Sequence, residues 1–349
     1  MDYEPPFLNT YKTLLEKSLE EDTNLYSMVE RSDDEQLPLI DLERLNNEEE
    51  RDECMKEISE AASEWGFFQV INHGISNEIM EMMISEQKKL FHEPFVNKLS
   101  AETVFNLSPN TYRWGNPCAT NLTQLPWLEA FHFSLTDIPN MEHHITLRAK
   151  TKALLQNSNP ALAKIRSRLE AFATRIATLA ENLVEILGIK VNMNSNHFQE
   201  NYLPQSSFVR LNRYPPCPIS SKVYGLLPHS DTSFITILYQ DQIGGLQLLK
   251  DGKWVDVKPN PSALVVNIGD LFQALSNNVY KSIKHRVVAA EEEERFSTAF
   301  FYCPFNDAVI QSENKPALYK KFTLREYRQQ TQQDVNQTGD KVGLSRFVL

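Results

Sequence analysis

The spacing of apolar residues changes near the middle of the chain. Before about residue 205, apolar positions recur at steps of three and four, which places them along one face of an α-helix. The longest stripe runs from Leu162 to Ile186, and Gly188 is expected to end the helix that carries it. Such a stripe is typical of core packing, so we predict a long helix lying against a sheet.

Two shorter helices and two strands are predicted nearer the N-terminus. The helical spacing covers residues 48–64 and 77–91, whereas the apolar runs at 37–42 and 67–71 have the length and composition of strands. Residues 1–36 are mostly polar and acidic. We therefore expect residues 1–36 to form a loosely attached N-terminal arm.

From residue 206 onward, short β-rich runs alternate with turn residues. The strand-like segments are SFVRLNRY, FITILYQ, GLQLLK, WVDVK, ALVVNIG, YKSIKHRVV and RFSTAFFYC. This density of strands favours a sandwich or jelly roll that is open at one end for a ligand. A capping box formed by Thr323 and Glu326 predicts a C-terminal helix.

The predicted fold class is α+β, with a β-rich core between two helical regions. We expect the arm to be followed by a mainly helical region at 37–205, a jelly-roll core at 206–308 and a helical extension at 309–349. The length of 349 residues permits two domains or one large domain with helical additions, and length alone does not choose between them.

The acidic composition argues against a nucleic-acid or membrane partner. The formal net charge is -11, whereas surfaces that bind phosphates or anionic lipid need clustered lysine and arginine. No apolar run approaches the roughly 18 residues that a membrane span requires, and the first residues lack the features of a secretory signal. The four cysteines contain no CxxC pair, which fits a reducing compartment. We therefore expect a cytoplasmic protein.

A His-x-Asp pair, His229 and Asp231, is the first candidate for chemistry. Side chains two residues apart on a strand point to the same face, so both can ligate one ion. His285, in a later β-rich segment, is the best candidate for a third ligand. Two histidines and one carboxylate leave three octahedral positions open, as a non-haem iron(II) oxygenase requires. A catalytic zinc site is the alternative for the same residues.

A second pair, Arg295 and Ser297, presents a guanidinium and a hydroxyl on one face of another predicted strand. A guanidinium holds a carboxylate through two parallel charge-assisted hydrogen bonds, and the hydroxyl adds a third. Asn212 and Tyr214 share a face of a further strand. There Tyr214 would donate to the same carboxylate and Asn212 would contact the ligand's end near the metal. The alternative is that Tyr214 and the following prolines simply close a strand.

In combination, these features resemble the plant 2-oxoglutarate-dependent dioxygenase family. LPLIDL, WGFFQVINHG and NRYPPCP occur in the expected order with the His-x-Asp pair, the distant histidine and the Arg-x-Ser pair, over almost the whole chain. The resemblance implies a distorted double-stranded β-helix, or jelly-roll, core. It also implies a catalytic iron(II) held by His229, Asp231 and His285.

The same resemblance implies the cosubstrates. 2-Oxoglutarate and O2 would be consumed, succinate and CO2 would be released, and ascorbate would act as a supporting reductant. The residues implied to bind 2-oxoglutarate are Arg295, Ser297, Tyr214 and Asn212.

Residues that contact the substrate are expected outside the metal motif. The stretch at 112–135 combines aromatic side chains with Arg113, which is the composition of a pocket for a large apolar acid, and His132 would line that pocket. The alternative is a packed hairpin of the helical region with Arg113 on its surface. The candidate substrate residues are Tyr112, Arg113, Trp114, Trp127, Phe131, Phe234 and Phe301.

YRWG, LPWLEAFH and the ending KVGLSRF are most similar to gibberellin 2-oxidases, especially the branch that acts on twenty-carbon gibberellins. This resemblance implies hydroxylation of a small-molecule gibberellin at carbon 2, which inactivates the hormone. Two alternatives stay open: a dioxygenase of another plant metabolite, such as a flavonoid, auxin or other organic acid, and a non-enzymatic jelly-roll protein that binds a small acid. The intact metal triad and Arg-x-Ser pair argue against the second. The sequence leaves the oligomeric state open.

Overall fold

Most of the helices lie before residue 205 and most of the strands lie after it, as the spacing of apolar residues predicts. The computed structural model describes residues 2–19, 31–32, 36–101, 108, 110–135, 138, 141, 160–202, 204–339 and 341–349. The helices are α1 (Phe7–Thr10), α2 (Lys12–Leu19), α3 (Arg51–Glu64), α4 (Asn77–Phe91), α5 (Phe95–Leu99), α6 (Pro160–Lys190), α7 (His197–Asn201), α8 (Asp270–Leu275) and α9 (Leu324–Thr338). The helices predicted at 48–64 and 77–91 are confirmed as α3 and α4.

The strands form two main sheets and a small two-stranded one. The strands are β1 (Arg31–Ser32), β2 (Leu39–Asp41), β3 (Phe67–Ile71), β4 (Tyr112–Trp114), β5 (Glu129–Ser134), β6 (Phe208–Tyr214), β7 (Tyr224–His229), β8 (Ile235–Gln240), β9 (Leu246–Lys250), β10 (Lys253–Asp256), β11 (Leu264–Ile268), β12 (His285–Val288), β13 (Arg295–Tyr302), β14 (Val309–Ile310) and β15 (Phe322–Thr323). The larger sheet has the order β2-β3-β11-β8-β13-β6-β5-β4, and the smaller has the order β1-β10-β9-β12-β7. This arrangement confirms the predicted α+β jelly-roll core.

The long helix α6 packs against α3, α4, β8 and β13. Its apolar stripe includes Phe172 and Leu183, which are 0% and 1% exposed. The helix continues past Gly188, so the predicted stop is wrong. A Cβ at Gly188 would lie 3.1 Å from Cε2 of Phe198, so this glycine serves close packing. No helix of the described residues, α6 included, has an apolar stretch long enough to cross a membrane.

The mainly helical region also builds part of the larger sheet. β2 and β3 at one edge, and β4 and β5 at the other, all come from residues 37–205. β5 pairs with β6, the first strand after residue 205. The larger sheet therefore crosses the predicted boundary at residue 206.

Strand β7 is not among the predicted strands. It contains Gly225 and Pro228, which weaken the strand signal in the sequence. The strand lies at the end of the smaller sheet, where a proline removes no essential ladder hydrogen bond. Its last residue is His229, so the His-x-Asp pair does begin on a strand as predicted, whereas Asp231 lies beyond the end of that strand.

The beginning of the predicted arm is not loosely attached. Phe7 and Tyr11 are 3% and 6% exposed and pack in an apolar cluster with Trp127. Glu4 forms an ion pair with the buried Arg213, with 2.6 Å between Oε1 and Nη2. The expectation of a loose arm is therefore wrong for this first stretch, because its apolar and charged side chains have buried partners. Residues 20–30 and 33–35 lie outside the described residues.

The predicted capping box begins the C-terminal helix α9. The Thr323 side chain accepts from the Glu326 backbone N–H, and the Glu326 carboxylate accepts from the Thr323 backbone N–H. Leu324 and Tyr327, both 0% exposed, attach the helix to the main core cluster. The first turn of α9 is therefore fixed against the core cluster, whereas its later turns can contact other parts of the protein.

Candidate active site

The three predicted metal ligands lie together. His229 ends β7 and His285 begins β12, and strand pairing sets these two residues opposite each other. Nε2 of His229 lies 3.5 Å from Oδ1 of Asp231, and Nε2 of His285 lies 3.7 Å from the same oxygen. The three ligand atoms lie within 4.8 Å of one another. They can therefore share one ion.

Backbone carbonyls orient both histidine rings. Nδ1 of His229 lies 2.7 Å from the carbonyl oxygen of Leu227. Nδ1 of His285 lies 3.1 Å from the carbonyl oxygen of Ile283. A carbonyl only accepts hydrogen bonds, so each Nδ1 carries the hydrogen and each Nε2 keeps its lone pair for a metal.

Hydrogen bonds also orient Asp231. Its Oδ2 accepts from Oγ1 of Thr236 at 2.7 Å and from Nδ2 of Asn267 at 2.9 Å, which leaves Oδ1 towards the histidines. Burial opposes ionisation of Asp231, but His285, His229 and the amide of Asn267 outweigh it and hold the pKa of this carboxyl well below its ordinary value. Burial and the neighbouring His229 lower the pKa of His285 to about 4. At neutral pH, Asp231 is thus ionised and His285 neutral, the states that bind a metal.

This donor set fits iron(II). Two imidazole nitrogens and one carboxylate oxygen form the triad that leaves positions for other ligands. Within the described part of the chain, no further histidine, cysteine or carboxylate joins the cluster, whereas closed structural zinc sites have four protein ligands.

The predicted 2-oxoglutarate anchor lies on the paired strands β6 and β13. Pairing sets Arg295 opposite Tyr214 and Ser297 opposite Asn212. The exposed fractions of these four side chains are 2%, 3%, 1% and 5% in that order. The guanidinium carbon of Arg295 lies 4.8 Å from the centre of the Tyr214 ring, and its Nη2 donates to Oε1 of Gln240 at 2.8 Å. Residues from three adjacent strands therefore fix the guanidinium.

Several polar atoms of this anchor have no protein partner. Nε of Arg295, Nε2 of Gln240 and Oδ1 of Asn212 are buried without a hydrogen bond to any described residue. The first two atoms are donors, and leaving buried donors unsatisfied is costly, so a ligand with acceptor atoms is expected next to them. Oδ1 of Asn212 is an acceptor and requires a donor instead. A carboxylate supplies such acceptors, and the anchor therefore fits 2-oxoglutarate.

A single cavity of about 820 Å³ joins the ligand cluster and the anchor. Small-molecule sites occupy roughly 300–1,000 Å³. The predicted residues Arg113, Phe301 and His132 line this cavity. The ring of Phe208 stacks on Phe301 and on His132, with ring centres 4.4 Å and 4.2 Å apart. These rings form an aromatic wall of the same cavity.

Two predicted substrate residues flank Arg113 but do not line the cavity. Tyr112 and Trp114 alternate with Arg113 on β4, so their side chains point to the opposite face. Tyr112 donates to the buried carboxylate of Glu129 at 2.5 Å. Trp114 packs edge-on against Phe7, with ring centres 5.2 Å apart. The prediction that both residues contact the substrate is therefore wrong, because their side chains pack on the face of the sheet opposite to the cavity.

Trp127, Phe131 and Phe234 were also predicted to contact the substrate, and they pack elsewhere. Trp127 stacks on Phe7 with ring centres 4.3 Å apart. Phe131 and Phe234 are both 0% exposed and belong to the main core cluster. Phe234 contacts the Phe198 ring, with centres 5.1 Å apart. Composition alone could not separate these core aromatic residues from cavity residues.

Three cationic residues that were not predicted from the sequence also line the cavity. They are Arg210, Arg328 and Lys341. Arg210 shares strand parity with Asn212 and Tyr214 on β6, and this signal could have identified it. Arg328 comes from α9 and Lys341 from the segment after it, and no local pattern connects either residue with the metal motif.

Two family models match the chain. The model for the 2OG-Fe(II) oxygenase superfamily matches residues 205–304. The second model, which is described as "non-haem dioxygenase in morphine synthesis N-terminal", matches residues 37–153. The first match contains the metal cluster and the anchor described above.

Curated relatives match over most of the chain. Gibberellin 2-beta-dioxygenase 8 of Arabidopsis thaliana is 47% identical, with 99% of this chain and 98% of the relative covered. Gibberellin 2-beta-dioxygenase 6 of Oryza sativa subsp. japonica is 44% identical, with 89% and 84% covered. Among solved structures, JOX2 in complex with 2OG, Fe and JA has a TM-score of 0.70 and 32% identity, with 90% of this chain and 91% of that one covered.

Proposed function

The chain belongs to the 2OG-Fe(II) oxygenase superfamily, and from this premise we propose that it hydroxylates carbon 2 of gibberellins with iron(II) and 2-oxoglutarate. The observation that carries the proposal is the joint presence of a two-histidine, one-carboxylate cluster and a buried carboxylate anchor in one cavity. The reaction consumes O2 and releases succinate and CO2. Hydroxylation at carbon 2 would inactivate the hormone.

His229, Asp231 and His285 would hold the iron. When bound, iron(II) and 2-oxoglutarate supply the activation of O2 and the oxidising power for hydroxylation of a C–H bond. Thr236 and Asn267 keep the second carboxylate oxygen of Asp231 occupied, so that one oxygen faces the metal position.

Arg295, Ser297 and Tyr214 would hold the far carboxylate of 2-oxoglutarate. The guanidinium offers donors in a fixed fork, and the unpartnered Nε of Arg295 is available to that ligand. Asn212 would contact 2-oxoglutarate nearer its metal-binding end. The protein thus binds and orients the cosubstrate beside the metal position and shields it from bulk water.

Gibberellins fit the rest of the cavity in chemical character. They have a rigid apolar skeleton that bears carboxylates, and the cavity combines aromatic and aliphatic walls with arginines. The relatives of 40–47% identity that are named gibberellin 2-beta-dioxygenases support this substrate class.

We further propose that residues 206–308 act as the oxygenase core, with 37–205 and 309–349 completing its walls. We also propose that the protein is cytoplasmic.

A substrate panel tests this function. Purified protein is loaded anaerobically with iron(II), given 2-oxoglutarate and O2, and assayed for succinate by mass spectrometry. The panel contains nineteen- and twenty-carbon gibberellins, flavonoids and indole acids. We expect succinate formation above the substrate-free rate with gibberellins. Succinate stimulated only by a flavonoid or an indole acid would contradict the gibberellin assignment and favour a dioxygenase of another metabolite.

A further inference from the structure

The cavity face of the larger sheet carries its side chains in rows. Pairing of β13, β6 and β5 places Arg295 beside Tyr214, then Ser297 beside Asn212, then Ala299 beside Arg210 and His132, then Phe301 beside Phe208 and Ser134. Arg210 is therefore two rows from Arg295. At the rise of an extended strand, this offset is about 13 Å. The two guanidiniums belong to different parts of the cavity.

Two more arginines line the same cavity. Arg113 projects from β4, the edge strand of the same sheet. Arg328 comes from α9, where it shares a helical stripe with other residues that line the cavity. Those residues are Thr331, Gln332 and Val335.

The pKa of His132 depends on the charges of these arginines. Partial burial, followed by the charges of Arg210, Arg113 and Arg328, lowers its pKa to about 4. Its ring faces the cavity, and its strand position is directly opposite Arg210. Strand pairing agrees with this: Arg113 lies opposite Ala130, two positions from His132 on β5. Arg328 donates to the carbonyl oxygen of Ser206 at 3.5 Å, just before β6, so all three arginines lie on this side of the cavity. We call Arg113, Arg210 and Arg328 the distal arginine cluster.

No described carboxylate neutralises the distal arginine cluster. Asp231 is the one acidic side chain among the described residues that line the cavity, and its oxygens are directed to the metal position and to Thr236 and Asn267. Arg328 donates to Oδ1 of Asn306 at 2.9 Å, a neutral partner. By contrast, the cavity-lining Lys341 is paired with Asp270, with 2.6 Å between Nζ and Oδ2.

Positive charges held close together without a neutralising carboxylate destabilise the folded protein unless a ligand brings negative charge. Burial lowers the pKa of the Arg210 guanidinium, because burial disfavours its charged form. A single carboxylate would satisfy one or two guanidiniums of the cluster through bidentate hydrogen bonds. Two carboxylates compensate the cluster more completely.

We propose, on the basis of the proposed function, that the distal arginine cluster binds the carboxylates of the substrate and selects substrates that carry two free carboxylates. Arg210 forms the centre of this subsite, with Arg113 on the sheet side and Arg328 on the side of α9. Phe208 and Phe301 contact the apolar skeleton next to the cluster. Arg295, two rows away, remains reserved for 2-oxoglutarate.

Equilibrium binding without turnover tests the proposal. Anaerobic protein loaded with iron(II) and 2-oxoglutarate is titrated with a twenty-carbon gibberellin that bears two carboxylates, and with its two monomethyl esters. The variants are R113Q, R210Q and R328Q. The control is R325Q, on the same helix as Arg328 but exposed and paired with Asp307 outside the cavity.

We expect each cluster variant to weaken binding of the dicarboxylate about tenfold or more, the effect of losing a charge-assisted hydrogen bond. Each monoester should bind the wild type more weakly than the dicarboxylate does. For at least one monoester, the loss of affinity caused by R210Q should be smaller than the loss that R210Q causes for the dicarboxylate. R325Q should bind both forms like the wild type. Equal affinity of the diacid and both esters for the wild type would overturn the proposal, and so would unchanged dicarboxylate affinity in all three variants.

Two further measurements separate the possible failures. The affinity for 2-oxoglutarate, titrated alone, should stay unchanged in R210Q; a loss there in place of dicarboxylate binding would assign Arg210 to the cosubstrate. Binding of the dicarboxylate does not require turnover, so a wild type that binds it but forms no hydroxylated product contradicts the proposed function and not the subsite. Circular dichroism spectra of the variants establish that each is folded.

Discussion

Nζ of Lys341 lies 2.6 Å from Oδ2 of Asp270, and this ion pair connects the C-terminal segment to the first residue of α8. Lys341 also donates to the carbonyl oxygen of Ser230 at 2.7 Å, between His229 and Asp231. The position of residues 229–231, which include two of the candidate metal ligands, therefore depends on a residue more than a hundred positions later in the chain.

Replacement of Lys341 by methionine should loosen this connection. Asp270 is 3% exposed and would lose its cationic partner, so we expect the free energy of unfolding to fall by about 2–4 kcal/mol. Urea denaturation of the iron-free protein measures this loss. Lys190→Met, at the exposed end of α6, is the control and should change stability by less than about 0.5 kcal/mol. Equal stability of the two variants would contradict the role of Lys341.

Replacement of Arg295 by glutamine should weaken 2-oxoglutarate binding. The substitution removes the charge and the fork of donors, so we expect a loss of about 2–3 kcal/mol in binding free energy. Calorimetric titration of 2-oxoglutarate into anaerobic iron-loaded protein measures it. Arg51→Gln, on the exposed surface of α3, should bind like the wild type. Wild-type affinity in Arg295→Gln would remove this residue from the anchor.

Gly269 should tolerate no side chain. Its φ of -101° suits any residue, but a Cβ there would lie 2.0 Å from the carbonyl oxygen of Ser233, in the loop after Asp231. Gly269→Ala should therefore cost at least about 2 kcal/mol through overpacking.

A matched glycine distinguishes crowding from backbone strain. Gly252 has a positive φ of +82° and nothing within 4 Å of the position that a Cβ would occupy, so Gly252→Ala should cost only about 1 kcal/mol. Urea denaturation of both variants gives the order. A smaller loss in Gly269→Ala than in Gly252→Ala would contradict the crowding at Ser233.

The pKa of His132 should respond to the distal arginine cluster. Partial burial and three positive charges lower this pKa to about 4, so removing one charge in Arg210→Gln should raise it. Because the folded pKa lies below the unfolded value of about 6.5, His132 should reduce stability as the pH falls through this interval. Histidine NMR titration measures the pKa. A wild-type value near 6.5, unchanged in the variant, would contradict the electrostatic account.

Local alternation explains why the central chemistry could be predicted from sequence. Arg295 and Ser297 are two positions apart on β13, so their relative directions follow from strand geometry. Asp231 lies beyond the end of β7, so its position next to His229 depends on the loop that follows this strand. The partners that orient them, such as Thr236 and Asn267, depend on how β8 and β11 pair, which the sequence does not specify.

The substrate wall was less predictable for two physical reasons. On β4, the single step from Tyr112 to Arg113 changes the face of the sheet, and an aromatic-rich segment does not reveal which face lines a cavity. Arg328 reaches the cavity only because α9 packs beside it, a contact between distant parts of the chain. The sequence pattern therefore predicted the side chains of the candidate metal cluster and anchor more completely than the other side chains that line the cavity.

We propose that His229, Asp231 and His285 support gibberellin hydroxylation coupled to 2-oxoglutarate consumption. This coupling is measured by the amounts of 2-hydroxylated gibberellin and of succinate that iron-loaded wild type and His229→Ala form. We predict equal amounts of the two products from the wild type, and loss of both from His229→Ala, which no longer has the full set of ligands. Full hydroxylation by His229→Ala would contradict the role of this residue as an iron ligand, and no gibberellin product from the wild type would contradict the proposed function.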